Sequence, residues 1–171
     1  KTAIRDHAAV FNTHRMVLDY WQQCYLPSAE RSEQLSSDHL ARAKALSAWK
    51  ERVRKQWAQV RIRRIWTSEP ETQELKVGDQ LEVNAEVQLG ELNPTDVSVE
   101  LYHGPLDSDG MIYDGQASPM LIAQSKGKGI YGFVGAIACR TSGRHGFAMR
   151  VVPHHDDLGN PFEMGLILWE R

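Results

Sequence analysis

The densest run of groups that could do chemistry lies in the last thirty residues, Ser142 to Arg171, where Arg144, His145, Arg150, His154, His155, Asp156 and Asp157 crowd together. His154-His155-Asp156-Asp157 has metal-ligand residue types. A metal ion needs several side chains converging on one point, and consecutive residues of an extended or turn segment splay theirs apart. Flanked by Pro153 and by Gly159-Asn160-Pro161, the segment reads as a polar connection between two strands, and no metal site is expected. Ser142, His145 and Asp156 are the residue types of a hydrolytic triad. No GxSxG elbow accompanies them, however, and Ser142-Gly143 before a strand is ordinary turn chemistry. A metal-dependent hydrolase built on His145, His154, His155 and Asp156 remains only as an outlying reading, decided by metal analysis of the purified chain. Lys126-Gly127-Lys128-Gly129 lacks the spacing of a phosphate-binding P-loop and reads as a tight turn.

Aromatic residues offer a second kind of chemistry. Trp66, Tyr102, Tyr113, Tyr131 and Trp169 could stack on sugar rings, although large aromatics more often fill a core. Tyr102 is out of phase with Val97, Val99 and Leu101, so it should point away from the core face. Tyr102, Tyr113 and Trp66 are therefore the candidate glycan contacts.

The elements that must position these groups change character near residue 60. Asn12 or Thr13 can cap a helix that carries Met16, Val17, Tyr20, Trp21, Cys24 and Tyr25 as one wide apolar stripe. Pro27 is expected to stop it. Residues 28–37 (SAERSEQLSS) read as a polar linker. Asp38, or a serine before it, would cap a longer helix to about Trp57, whose buried face is Leu46, Trp49, Val53, Trp57 and Val60. The opposite face carries Arg42, Lys44, Lys50, Arg52, Arg54 and Lys55. No aromatic residues interleave with these charges, and Asp38 and Glu51 dilute them, so the face reads as solvated and not as a nucleic-acid surface.

Beyond residue 60 the period is two. Leu81, Val83, Ala85, Val87 and Leu89 alternate with Gln80, Glu82, Asn84, Glu86 and Gln88, the pattern of a sheet with one buried and one wet face. Further alternating runs fall at 60–66, 97–101, 120–124, 131–137 and 145–151, with a last strand over 165–169 and a long loop over 104–119. About seven strands without helical crossovers predict an immunoglobulin-like antiparallel β-sandwich. The chain is thus mainly β with two to three N-terminal helices, a helical segment over 1–58 and a sandwich over 59–171.

At 171 residues the chain can bury a core without staples. A formal net charge of −2 gives no field to draw it to nucleic acid or to an anionic membrane. Cys24 and Cys139 form no CxxC pair, which favours a reducing, cytoplasmic compartment. No apolar run reaches the ~20 residues of a membrane span, and no signal peptide is visible. Opening at Lys1 in mid-pattern, the chain reads as a piece of a longer polypeptide.

Two sets of motifs carry a family resemblance. Phe11-Asn12-Thr13-His14-Arg15-Met16-Val17 with Tyr20, then Tyr25-Leu26-Pro27, resembles the C-terminal helix of the α-glucan (glycogen or maltodextrin) phosphorylases. Leu89-Gly90-Glu91-Leu92-Asn93-Pro94, the run Asp96 to Tyr102, Ser142 to Phe147, Arg150 to Pro153, Asn160 to Glu163 and Leu166 to Trp169 resemble the extra C-terminal region of the bacterial and archaeal members. The resemblance implies a parent enzyme in which pyridoxal phosphate, held on a lysine, helps inorganic phosphate cleave α-1,4-glucan to glucose 1-phosphate. The cofactor-lysine motif would lie upstream, so no catalytic or cofactor-binding residue is expected in this chain. Residues 1–27 would be the tail of the catalytic part and 28–58 a linker and connecting helix. The implied partner is the rest of the phosphorylase polypeptide, with α-glucan and phosphate met through it. Met16, Tyr20, Trp21, Arg144, His145 and Arg150 are the candidate interdomain contacts. In the chain alone the aromatic stripe should be covered by the helix at 38–57, by the sandwich or by a second copy. A competing role is that of a glycan-binding module holding the polymer near the active site.

Overall fold

The computed structural model describes residues 12–68 and 76–170, so the expectations for residues 2–10 and for Phe11 lie outside the described residues. The chain divides into two compact units, Lys1–Trp49 and Lys50–Arg171.

In the first unit Asn12 is the cap foreseen. Its backbone is extended, and its side-chain Oδ1 accepts the Arg15 N–H at 2.8 Å, satisfying an orphan donor of the first turn. Helix α1 runs Thr13–Tyr20, a π-helical turn follows over Trp21–Tyr25, and α2 spans Leu26–Gln56. Pro27 therefore does not stop the helix. Proline lacks an N–H and its ring collides with the carbonyl four residues back. The π turn removes that conflict by bonding the Leu26 N–H five residues back, to the Trp21 carbonyl, just before the proline.

Residues 28–36 are also not a loop. Polarity had suggested a linker, but Ala, Glu, Arg, Gln and Leu are good helix formers. The true break lies at Ser37–Leu40. Ser37 is extended, and Asp38, His39 and Leu40 adopt left-handed φ values of 49°, 53° and 63°, at a cost of roughly 1 kcal/mol per residue. Asp38 is thus inside the break and is no N-cap. Ser37 Oγ donates to the Gln34 carbonyl and Lys44 Nζ to that of His39, partly satisfying the interrupted ladder. Beyond it Leu46 and Trp49 are buried as their spacing predicts.

The second unit opens with the last residues of α2, where Val53 is fully buried, and a 3-10 turn at Trp57–Gln59. Eight strands follow among the described residues: β1 Arg61–Thr67, β2 Gln80–Gln88, β3 Val97–Pro105, β4 Gln116–Pro119, β5 Leu121–Gly127, β6 Ile130–Ala138, β7 His145–Pro153 and β8 Leu168–Trp169. They form two antiparallel four-stranded sheets, ordered β1-β2-β6-β5 and β4-β3-β7-β8. The alternation in β2 is realised: Val83, Ala85, Val87 and Leu89 are fully buried, each contributing up to ~1.5–3 kcal/mol of burial for the larger side chains. Leu101 of β3 reaches across to β6. A Cβ on Gly135 would lie 2.9 Å from Met120 Cγ and 3.0 Å from Leu101 Cδ1, so a larger residue there would have to displace both side chains.

Two strand expectations change. β4 lies inside the stretch read as a loop; Gln-Ala-Ser-Pro has no strand pattern, and it is recruited by pairing with β3, Tyr102 opposite Ala117. β8 begins at Leu168 and not at Gly165, because Gly165 closes a turn at φ +66°.

One ion pair ties three segments of this unit together. Arg52, near the end of α2, donates from Nη1 and Nη2 to the two carboxylate oxygens of Asp96, both at 2.8 Å. Asp96 Oδ2 also accepts the Asn93 N–H at 2.8 Å in a capping box at the β2–β3 connection, and the Asp96 carbonyl accepts the His154 N–H at 2.9 Å at the end of β7. Asp96 is 6% exposed, and a carboxylate that buried needs such donors. The hydrogen bonds to the Asp96 carboxylate in turn hold the Arg52 guanidinium above its ordinary pKa, against the opposing effect of burial. Asp96→Ala is expected to destabilise the chain by about 2–4 kcal/mol in denaturant unfolding; a loss under ~0.5 kcal/mol, the size of an ordinary surface change, would contradict this role.

Candidate functional site

The outer face of the β4-β3-β7-β8 sheet carries the most elaborate side-chain cluster among the described residues. The register sets Glu100 of β3 opposite Arg150 of β7, and Arg150 opposite Trp169 of β8. Arg150 Nε donates to Glu100 Oε2 at 2.8 Å, with the two side chains only 13% and 15% exposed. Three rings surround the guanidinium: its Cζ lies 5.5 Å from the ring centre of Tyr102, 5.1 Å from Phe162 and 5.4 Å from Trp169. Tyr102 and Trp169 meet edge to face at 5.9 Å and 82°, a favoured aromatic geometry.

Tyr102 thus points off the core face, as its phase requires, but its ring is enclosed. A Cβ on Gly115 would lie 2.3 Å from Tyr102 Cζ, so the loop before β4 closes over it. The other two candidate sugar contacts stand elsewhere. Trp66 is in β1 of the other sheet with the Arg64 guanidinium 4.3 Å over its ring, and Tyr113 is exposed in the loop between β3 and β4. The three rings do not share one strand or one sheet.

His145 opens β7 on an exposed turn, next to exposed Arg144. Its Nδ1 lies 3.2 Å from the Gly143 carbonyl and its Nε2 2.9 Å from Thr141 Oγ1. The carbonyl can only accept, so Nδ1 carries the proton and Nε2 accepts from the hydroxyl. Both ring nitrogens serve the turn, and neither is directed to Ser142 or Asp156. In the loop after β7, His154 Nδ1 is 3.4 Å from the Thr95 carbonyl and His155 Nδ1 accepts the Asp157 N–H at 3.1 Å. Among the described residues no three His, Cys, Asp or Glu side chains converge as a metal cluster would.

In the first unit Met16, Val17, Tyr20, Trp21 and Tyr25 are 51–63% exposed. The helix that follows in this unit does not cover this stripe. Beside it, Asn12, Arg15, Met16, Asp19, Tyr20 and Cys24 are among the residues lining an open hollow of about 540 Å³.

Sequence reasoning missed the partners of two residues it had noticed. Arg52 was placed on a solvated face and Asp96 in a turn signal; only their 44-residue separation closing in space makes them a pair. Phe162, part of the ring set around Arg150, carried no signal beyond its family-like motif. A further buried-edge group is His103, whose Nε2 lies 3.0 Å from Ser118 Oγ. Burial pushes its pKa below the ordinary 6.5, with His145 and Arg140 adding to the effect. Because the unfolded state binds the proton more readily, the His103 contribution to stability is fully present above 6.5 and is lost as pH falls from that value through the lower folded-state pKa.

A family model described as the glycogen phosphorylase C-terminal domain matches residues 57–171. Maltodextrin phosphorylase of Thermococcus litoralis is 31% identical over 175 residues, covering 99% of this chain and 20% of that protein. Glycogen phosphorylases of Mycobacterium bovis and Mycobacterium tuberculosis are each 29% identical over 154 residues, covering 90% of this chain and 18% of theirs. The chain therefore spans about a fifth of the length of these relatives.

Two outcomes are expected from the geometry. Arg150→Ala should cost about 3 kcal/mol in chemical denaturation, because it strands Glu100 and empties the ring set; an unchanged midpoint would show the cluster to be ornamental. His103→Gln should lessen the loss of melting temperature between about pH 7.5 and about pH 5.5, and an unaltered pH slope would remove His103 as its source.

Proposed function

Because this chain belongs to the glycogen phosphorylase C-terminal domain family, we propose that it is the non-catalytic C-terminal module of an α-glucan phosphorylase and that its role there is structural. The observation that carries the reading is the pairing of a family match over the strands with an unpartnered aromatic helix face before them. A face of that apolar character is unstable in water and calls for a partner surface. In the parent that surface is the rest of the phosphorylase polypeptide, met by Met16, Tyr20 and Trp21, with Arg144, His145 and Arg150 as further interdomain contacts. We take residues 1–58 as the helical part, its first 27 residues being the tail of the catalytic portion, and 59–171 as an appended immunoglobulin-like module.

The parent reaction is phosphorolysis of α-1,4-glucan to glucose 1-phosphate with pyridoxal phosphate. The described residues of this chain do not fit that cofactor. A Schiff-base lysine needs an enclosed cradle, and none of the described lysines is buried; Lys50, Lys55 and Lys126 are held by Glu163, Glu51 and Glu86. The cofactor, the glucan and the phosphate would be met through the rest of the polypeptide, in the cytoplasm, a location consistent with the free thiols of Cys24 and Cys139. The second reading, a glycan-binding module, rests on the exposed rings of Tyr113 and Trp66. Enclosure of Tyr102 weighs against it, and heat on calorimetric titration with maltoheptaose would favour it.

In sedimentation the isolated chain is expected to self-associate through the α1 stripe, and Trp21→Glu to return it toward monomer. It should show neither phosphorolysis nor pyridoxal absorbance. A monomer with the stripe exposed would sink the docking role; phosphorolysis by the chain alone would sink the non-catalytic one.

A further inference from the structure

β1 and β8 each pair with one neighbour only, so both are edge strands. Between them lies an open groove of about 500 Å³, lined among others by Arg61, Arg63 and Arg64 of β1 and by Trp169 and Glu170 at the end of the other sheet. That volume suits a small ligand.

The groove's charge is only partly neutralised from within. Arg64 is paired with Glu86 at 3.1 Å and stacked on Trp66. Arg61 donates to the neutral Val60 carbonyl at 2.7 Å, and Arg63 to the side-chain oxygen of Gln88 at 2.6 and 3.1 Å. Each guanidinium has five N–H donors, so both keep donors for another acceptor. Among the described residues Glu170 is the one carboxylate on the lining, and burial pushes its pKa up, with the Met149 backbone opposing. In a regular strand consecutive side chains point to opposite faces. The register shift between Ile62 and Arg64 breaks that rule and brings Arg63 and Arg64 to one rim, as bulges do when they re-aim a side chain.

We infer that this groove is an oxyanion-binding site taking a phosphate group, either inorganic phosphate or the phosphate of a phosphorylated sugar whose ring rests on Trp169. The planar guanidinium fork matches phosphate geometry, and the open edge of β1 supplies further backbone N–H donors. The inference stands on the groove alone; only glucose 1-phosphate as the sugar probe rests on the family reading.

The test is titration of the full chain, followed by backbone amide resonances, with inorganic phosphate, glucose 1-phosphate and neutral maltoheptaose, each to ~10 mM. Either phosphate-bearing probe is expected to shift amides of β1 and β8, and Arg61→Gln with Arg63→Gln to weaken that response at least ~10-fold, the loss of one or more charge-assisted bonds. Both arginines are exposed, and an unchanged melting temperature certifies that the double variant folds. Response to glucose 1-phosphate alone assigns the sugar phosphate; response to both probes assigns the bare anion. No shift with either, a shift the double variant retains, or an equal response to maltoheptaose overturns the proposal. A glucan response with phosphate silent would leave the family reading intact while removing this site.

Discussion

A buried carboxylate cannot be left alone, and Asp96 is the point from which the second unit is braced. Its side chain takes three N–H donors, two from the Arg52 guanidinium and one from the Asn93 backbone, while its carbonyl takes a fourth from His154. Desolvating an unpaired carboxylate would cost several kcal/mol, so these donors must be present whenever the chain is folded. They come from the end of α2, from the β2–β3 connection and from the exit of β7. Neighbouring contacts repeat the theme at lower burial: Lys50 with Glu163, and Gln56 with Glu91. The end of α2 is thereby held against two loops of the sandwich at one end of its sheets.

The outer face of the β4-β3-β7-β8 sheet uses the same chemistry differently. Arg150 meets one carboxylate and three rings, so its charge is balanced and its hydrocarbon stem covered. Its histidine neighbours in the chain serve turns and loops. Arg150, His145, His154 and His155 are thus engaged in contacts that hold strands, turns and loops. Two exposed features among the described residues stand apart from these contacts: the aromatic face of α1 and the arginine-lined groove at β1. One suits an apolar surface, the other an anion.

Much of this architecture was legible from residue order. The cap at Asn12, the buried face through Leu46, Trp49 and Val53, and the alternation through β2 each depend on neighbours within a turn or two, where period and residue type decide the outcome. Motifs at the two ends pointed to the phosphorylases for a different reason, as resemblance and not as physics. Local reasoning failed where a local preference was outvoted. Pro27 entered a helix because a π turn shifted the hydrogen bonding before it; polar residues 28–36 stayed helical because their propensity is high; β4 became a strand only because β3 was there to pair with it.

Composition and periodicity by themselves determined the two classes of element and the buried faces of the last turns of α2 and of β2. Tertiary structure alone decided which charges meet. Arg52 and Asp96 are 44 residues apart, and Arg150 and Glu100 are 50 apart. Nothing in either neighbourhood distinguishes those arginines from solvated ones. Side-chain period reports which face a residue occupies, while pairing depends on strand register and on where loops close, and those are set by the packing of the whole unit.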